Sequence, residues 1–274
     1  FRRPVLAILS ILALAGFSLW IYLVSTVGGG GDAQAHVFST NMIFAVILIL
    51  QAASLTVSGF PAEREAKTWE VLLSAPLSPR DLVVGKFAGA LRSLWLMPAA
   101  LLVNLGLLGV VAGHLKPAVL VQTVLIFGGP ILLLAASGTR LSLAAKSSTS
   151  AGMRNTGVAL LLWGGVLIAA GLGQMMVRLY SLQGTALKPV VDWFTNAVFF
   201  LNPIWNFGNM LEGSMTNRTW SRDFLIGGPD SKLRVPSGEF TLAMAATFAL
   251  YVLAAFLVLV WSTSAFTKKS GRTS

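Results

Sequence analysis

The chain has 274 residues, of which 55% are hydrophobic and only 11% are charged. Soluble domains usually carry about a quarter charged residues, so this composition excludes an ordinary soluble protein. The net charge of +10 does not indicate a nucleic-acid partner, because the basic residues cluster at the ends of apolar segments. The absence of cysteine excludes disulfides and cysteine metal sites. We predict an all-α integral membrane protein.

Six apolar segments reach or exceed the roughly 20 residues that a helix needs to cross a bilayer. They lie at about 4–27, 38–60, 79–112, 118–145, 156–177 and 240–266. We predict that residues 1–274 form one transmembrane domain with these six helices. The sequence begins at Phe1 and not at a methionine, so we expect an N-terminal piece to precede it. Asn41, in the second span, is predicted to make an interhelical hydrogen bond.

Glycine and proline residues inside the spans predict both close packing and breaks. The small residues predicted to pack against other helices are Gly85, Gly89, Gly165, Ala169 and Gly173. Pro98 is expected to kink the third span. The run Gly128-Gly129-Pro130 is expected to break the fourth span.

Residues 60–86 are the most charged part of the chain, with eight of its 30 charged residues. Their apolar residues recur at helical spacing and predict a short amphipathic helix over about 62–75. Glu63, Lys67 and Glu70 would form its charged face, paired at i,i+4 and i,i+3. Pro76 would end this helix, and Ser78 would cap the start of the next one.

The segment 178–239 is too broken to be a further crossing. Its first part is apolar and aromatic but is interrupted by Asn202-Pro203. We predict one or two short helices between 187 and 210, which re-enter the membrane or lie on its surface against protein. The remainder, 211–238, is predicted to be a polar loop.

Six crossings place both termini on the same side of the membrane. Thirteen of the 20 basic residues then lie on that side: Arg2, Arg3, Arg64, Lys67, Arg80, Lys86, Arg92, Arg140, Lys146, Arg154, Lys268, Lys269 and Arg272. By the positive-inside rule this side is cytoplasmic, and the segment 178–239 faces outward. We therefore predict a multi-pass protein of the cell (inner or plasma) membrane with cytoplasmic termini.

The sequence lacks the motifs of the common membrane enzymes and carriers. It contains no GxxxxGK[ST] nucleotide-binding loop and no HExxH zinc motif. The two histidines, His36 and His114, are predicted to lie alone and solvated in outward loops. Ionisable residues are missing from the middle of four spans, which argues against a proton- or ion-coupled carrier. We predict a chain with no catalytic residue, no metal and no cofactor of its own.

The charged stretch resembles the permease subunits of ATP-binding-cassette transporters of the type-2 exporter class. The residues that carry the resemblance are Glu63-Arg64-Glu65, Lys67-Thr68, Glu70, Leu72-Leu73, Pro76-Leu77-Ser78 and Gly85-Lys86. Asn202-Pro203 is similar to the family as well. In that family the stretch follows the second span and opens the third, which is its position here.

The resemblance implies six spans, a cytoplasmic coupling helix between the second and third, and a separate ATPase subunit that receives this helix in a groove. It further implies a second permease copy or homologue, with ATP and Mg bound by the ATPase. Carried over, the ATPase-docking residues are Glu63, Arg64, Glu65, Lys67, Thr68, Glu70, Leu73 and Pro76. The predicted function is export that couples ATP hydrolysis by the partner to substrate translocation.

Two other functions are compatible with the same residues. The first alternative is a polytopic membrane scaffold or assembly factor without transport, and the second is a polytopic membrane enzyme. Copurification of an ATPase with the chain would favour the permease.

Overall fold

The computed structural model describes most of the chain, and most of what it describes is α-helix. The described residues are 16–20, 22–23, 33–57, 59–74, 76–179, 187–215, 220–221, 234–235 and 237–270. Of the first predicted span, 4–27, only residues 16–20 and 22–23 are described, and they are helical. The rest of that span, and most of the predicted polar loop, lie outside the described residues.

From residue 33 onward, the described residues contain eleven α-helices. They are α1 Ala33–Leu55, α2 Gly59–Glu65, α3 Trp69–Ser74, α4 Pro79–Ser93, α5 Leu96–Asn104, α6 Ala118–Ala144, α7 Ser148–Ala159, α8 Val166–Leu179, α9 Leu187–Leu201, α10 Pro203–Met215 and α11 Ser237–Ser270. Two π-helical segments, Leu105–Val111 and Leu160–Gly165, continue α5 and α7. Two short strands, β1 Trp220–Ser221 and β2 Arg234–Val235, pair antiparallel between α10 and α11.

Five helical stretches among the described residues are long and apolar enough to cross a membrane. They are Ala33–Leu55, Pro79–Val111, Ala118–Ala144, Ser148–Val177 and Gly238–Lys268. These five correspond to the second to sixth predicted spans. The helical, multi-pass class predicted from composition is therefore confirmed.

Three span boundaries differ from the prediction by five residues or more: the second span already includes Ala33 and not only residues from 38 onward, and hydrogen bonds mark the other two. The second span ends at Leu55 and not at residue 60, and the chain turns where the Thr56 hydroxyl donates to the carbonyls of Ala52 (2.8 Å) and Leu134 (3.2 Å). The fifth span begins eight residues before the predicted residue 156. There the Ser147 side chain caps the helix by accepting the backbone N–H of Ser150.

The third span is interrupted at Leu94 and Trp95, one turn before Pro98. Proline has no N–H to donate to the carbonyl four residues earlier, here that of Leu94. The helix is therefore interrupted on the N-terminal side of Pro98, near the position where the sequence predicted a kink.

The predicted break at Gly128-Gly129-Pro130 is wrong, because α6 runs through it without interruption. The glycines serve close packing between α6 and α11. A Cβ atom at Gly129 would lie 2.7 Å from the Tyr251 Cβ, and one at Gly128 would lie 3.0 Å from the Phe248 ring. Only glycine allows the two helices to approach this closely.

Buried amides join the helices of the core. The Asn155 side chain donates to the carbonyls of Ala53 (2.8 Å) and Leu134 (3.1 Å), which links α7 to α1 and α6. Asn104 Nδ2 donates to Asn41 Oδ1 at 2.9 Å, which links α5 to α1. The interhelical hydrogen bond predicted for Asn41 is confirmed.

Helices α9 and α10 form a hairpin that packs along the spans. Near its start, Gln174 of α8 donates to Asp192 at 3.0 Å; at its tip, the Asn202 amide donates to the carbonyl of Trp163 at 2.8 Å. Since Trp163 lies near the middle of the stretch Ser148–Val177, the tip reaches the middle of that helix. One or two short helices were predicted here and two are present, but α10 continues to Met215, so the first five residues of the predicted polar loop are helical.

The return helix of the hairpin, α10, packs along the first half of α6. The Thr123 hydroxyl lies 3.8 Å from the Met210 sulfur, and the Ser214 hydroxyl accepts the backbone N–H of Lys116 at 2.8 Å. The contacts therefore move towards the start of α6 as α10 proceeds. They show that α10 runs back in the direction from which α9 came.

The two histidines are not isolated, contrary to the prediction. His114 Nε2 is hydrogen-bonded to the Tyr22 hydroxyl at 2.8 Å, and the Tyr22 and His36 rings lie 6.3 Å apart. His36 itself lies in α1 and not in a loop. Aromatic contacts made across the chain, which local sequence cannot reveal, account for the difference.

Candidate functional site

The charged stretch folds as two short helices, α2 and α3, and not as the single helix predicted over 62–75. Lys67 has a φ of 57°, the left-handed conformation that commonly ends a helix. The Lys67 N–H donates to the Arg64 carbonyl at 3.1 Å and the Thr68 N–H donates to the Glu63 carbonyl at 2.9 Å. These are the two hydrogen bonds of a Schellman motif, and they turn the chain before α3 begins.

The predicted pairing of Glu63 with Lys67 is also wrong. Glu63 Oε1 accepts a hydrogen bond from Lys86 Nζ at 2.6 Å, and its other oxygen accepts one from the Thr68 hydroxyl. The ion pair joins α2 to α4, and both side chains are about a quarter exposed. Lys67 points into solvent.

The hydrogen bond from Lys86, aided by that from Thr68, lowers the pKa of Glu63 below its usual value of 4.5. A carboxylate with a lowered folded-state pKa stabilises the fold above the unfolded-state pKa, and this contribution is lost as pH falls through the folded-state value.

We therefore expect Glu63→Gln to lower the unfolding free energy by up to about 1 kcal/mol at neutral pH. The difference from wild type should shrink as pH falls below about 4.5, where both states become protonated. Thermal unfolding in detergent from pH 7 to the lowest tolerated pH measures it. Glu70→Gln is the control, because Glu70 is exposed and has no ion pair among the described residues; a constant difference for Glu63→Gln at every pH would contradict the assignment.

Arg64 connects α2 to the end of α6. Its guanidinium donates to the carbonyls of Ala145 (2.6 Å) and Leu143 (3.0 Å), which are among the last acceptors of that helix. A positive charge at a helix C-terminus is also favoured by the helix dipole. The same guanidinium lies over the ring of Trp69, 4.6 Å from its centroid, so it supports the first residue of α3 as well.

Glu65 connects α2 to the start of α7. Its carboxylate accepts the backbone N–H of Ser148 at 2.8 Å and the Ser148 hydroxyl at 3.1 Å. The negative charge at a helix N-terminus complements the helix dipole. Three consecutive side chains of α2 therefore attach it to α4, α6 and α7.

Three aromatic rings hold α3 against the last helix. We call Phe60, Trp69 and Phe266 the aromatic cluster. The ring centroids lie 6.2 Å apart for Phe60 and Trp69, 5.7 Å for Phe60 and Phe266, and 6.1 Å for Trp69 and Phe266. Leu72 packs against the same buried residues. The inner side of α3 is therefore fixed to the end of α11.

The outer side of α3 is open. Glu70 and Ser74 are exposed, and the Val71 side chain is 69% exposed although it is apolar. Pro76 follows on the same exposed stretch, whereas the side chain of Leu73 lies outside the described part of the chain. A short helix anchored on one side, with a carboxylate beside an exposed valine on the other, is suited to binding a soluble protein.

The anchoring contacts could not be found from the sequence. Lys86, Leu143 and Phe266 lie between 23 and about 200 residues from their partners, and no local spacing connects them. The only available signals were the basic residue near the start of the third span and the aromatic residue at the end of the last one.

The predicted packing glycines have different surroundings. A Cβ atom at Gly173 would lie 3.3 Å from Val191, so this residue packs against α9. At Gly165 it would meet only its own helical segment, and Ala169 is exposed. At Gly85 and Gly89 it would meet no described atom within 4 Å. Packing of these four against another helix therefore stays a prediction, which a second protein copy would have to fulfil.

Comparison with known protein families identifies the chain's relatives. A family model described as ABC-2 family transporter protein matches residues 41–270, which include most of α1, every later candidate span, the charged stretch and the hairpin. A search among curated proteins gave no match.

Proposed function

The chain is a membrane-spanning permease of the ABC-2 transporter family, and we propose that it couples ATP hydrolysis by a separate ATPase subunit to the export of a substrate. In this proposal α3, with the turn that precedes it, is the coupling helix. The chain supplies the translocation path and the docking surface. ATP and Mg are bound by the partner, and this chain binds no cofactor of its own.

The observation that carries the proposal is the two-sidedness of α3. Its inner residues Trp69 and Leu72 pack into the fold, while Glu70, Val71 and Ser74 face solvent. An isolated six-residue helix is unstable in water, so α3 is present because the fold holds it. An anchored helix with a solvent-facing side is what a motor subunit needs in order to push on the membrane domain.

The attachment of α2 indicates where such a push would go. Chain connectivity alone would pass it to α1 and α4, which flank the two short helices. Arg64 and Phe266 add direct contacts to α6 and α11. These two long helices pack closely at Gly129, so they would receive the motion together.

Site-directed crosslinking tests the docking surface, and the cysteine-free chain gives a clean background. Val71→Cys and Val111→Cys introduce the same change at valines that are 69% and 78% exposed; Val71 lies in α3, before the third span begins, and Val111 is the last residue of that span. We expect Val71→Cys to crosslink to a copurifying ATPase in native membranes and Val111→Cys not to. Equal crosslinking of both, or ATPase crosslinking from Val111→Cys alone, would contradict the docking proposal.

Two glutamate substitutions separate docking from folding. Glu70→Ala should weaken ATPase copurification, because an exposed carboxylate is removed from the docking surface, and should leave thermal stability unchanged. Glu63→Ala should lower thermal stability, because it leaves Lys86 without its ion-pair partner. ATPase pull-down and thermal unfolding on the same preparations measure both. Loss of copurification from Glu63→Ala alone, at unchanged stability, would place the docking contact on α2.

The remaining parts of the proposal concern assembly and orientation. We propose one transmembrane domain over residues 1–274 with six crossings, both termini cytoplasmic, in the cell (inner or plasma) membrane. A second permease copy or homologue would complete the path. Gly85 and Gly89 leave a part of α4 open to such a partner, since no described atom lies within 4 Å of a Cβ built on them. The hairpin tip at Asn202 would lie within the membrane, on the outward half.

A further inference from the structure

Arg140 carries a charge near the end of a candidate membrane span, and no described acidic group forms an ion pair with it. It lies four residues before the end of α6. The ion pairs among the described residues are Lys86–Glu63 and Lys188–Asp192, and neither includes it. Its Nε atom is buried without a hydrogen-bond partner in the described part of the chain. A cation in this position is costly unless an anion or water compensates it.

The Arg140 guanidinium stacks on an indole ring that is exposed at the surface of the helix bundle. Its Cζ lies 4.2 Å from the centroid of the Trp261 ring. Trp261 is 60% exposed and follows the exposed apolar residues Leu257 and Val260 on α11. The pair therefore lies where α6 and α11 meet at the outer surface of the helix bundle. Tryptophan at such a position is typical of the membrane–water boundary.

We propose that Arg140 and Trp261 form a binding site for the phosphate of an anionic phospholipid. The planar guanidinium presents N–H groups in the fork that matches phosphate oxygens, and stacking on the indole fixes its plane. The site lies at the same membrane face as α2, because Arg64 contacts that end of α6. The carboxylates of Glu63 and Glu65, on α2, already accept hydrogen bonds from Lys86 and Ser148. A lipid phosphate is the anion that the bilayer supplies at this depth, and the site does not depend on ATPase docking.

Lipid retention tests the site. Protein purified from vesicles of equal phosphatidylglycerol and phosphatidylcholine content should retain phosphatidylglycerol in excess, measured by mass spectrometry of the bound lipid. Arg140→Gln should reduce that excess by about fivefold, the effect of about one basic residue at an anionic surface. Arg92→Gln is the matched control, because it removes the same charge from an exposed arginine of α4 that stacks on no described aromatic ring, and it should reduce the excess much less than Arg140→Gln does. Trp261→Leu keeps an apolar side chain and should also reduce the excess.

The outcomes separate the possible sources of the anion. Equal retention by Arg140→Gln and Arg92→Gln would overturn the site. Displacement of phosphatidylglycerol by millimolar inorganic phosphate would assign the site to free phosphate and overturn the lipid assignment. Size-exclusion profiles monitor folding, and if Arg140→Gln aggregates, Trp261→Leu decides: unchanged retention there would overturn the proposal.

Discussion

An Arg64→Gln chain should insert into the membrane and fold, but the ATPase turnover of its complex should be at least tenfold lower than that of wild type. The substitution removes two hydrogen bonds from a charged donor to the Ala145 and Leu143 carbonyls, each contributing about 1.5–3 kcal/mol. It also removes the stacking on Trp69. If the conformation in which α3 can bind the ATPase is destabilised by about 1.4 kcal/mol, the docked population already falls tenfold. ATPase turnover of the reconstituted complex and the crosslinking yield of Val71→Cys measure the effect.

Arg64→Lys distinguishes positioning from charge. Lysine keeps the positive charge at the end of α6 but lacks the planar fork that reaches two carbonyls and stacks on an indole. We expect only partial recovery of crosslinking in Arg64→Lys. A spin label at Val71→Cys in the permease alone should become more mobile in Arg64→Gln. Unchanged label mobility together with lost docking would show that Arg64 contacts the ATPase directly, as the family resemblance implied.

A Gly129→Val chain should be less stable by about 1–3 kcal/mol, because extra atoms in a packed contact force the helices apart. A Cβ atom there would lie 2.7 Å from the Tyr251 Cβ and 3.3 Å from the Phe248 backbone. Neither neighbour is the flexible end of a side chain, so α6 and α11 must separate. The midpoint of thermal unfolding should fall by about 2–4 °C for each kcal/mol.

Gly171→Val is the matched control for this substitution. Gly171 lies in α8, is exposed, and has no described atom within 4 Å of where a Cβ would stand. Its unfolding midpoint should match wild type, because valine and glycine differ little in helix propensity compared with the expected clash. Equal losses at both positions would mean that the helix contact at Gly129 is not tight.

The sequence was sufficient where the physics is local or set by the bilayer. Apolar length identified the spans from α1 onward, and Ser78 was correctly predicted to cap α4, where its side chain accepts the Asp81 N–H. The sequence was not sufficient where a residue adopts a conformation unusual for its type, or where its partner lies far along the chain. Lys67 ends α2 in a conformation that lysine seldom adopts, and Glu63 has its partner on another helix.

The glycine-rich run in the fourth span is a second place where a contact with a distant helix overrides the local preference of the sequence. Gly128, Gly129 and Pro130 have low helix propensity, so a reading of local preference predicts a break. Close packing of α6 against α11 at the two glycines stabilises the continuous helix by more than the low helix propensity of this run destabilises it.

The docking surface was partly predictable. The sequence pattern predicted its position between the spans and the exposure of Glu70. It did not predict that Glu63, Arg64 and Glu65 bind residues of the same chain.

Tyr251 gives the last helix a second point of contact far from the aromatic cluster. Its hydroxyl donates to the Leu201 carbonyl beside the hairpin tip and accepts a hydrogen bond from the Trp163 indole at 2.9 Å. Phe266, about four turns further along α11, lies against Trp69. The single helix α11 thus contacts α3 near its C-terminal end and the tip of the α9–α10 hairpin near its middle. A tilt of α11 would therefore displace α3 and the hairpin tip at the same time, without any other helix between them.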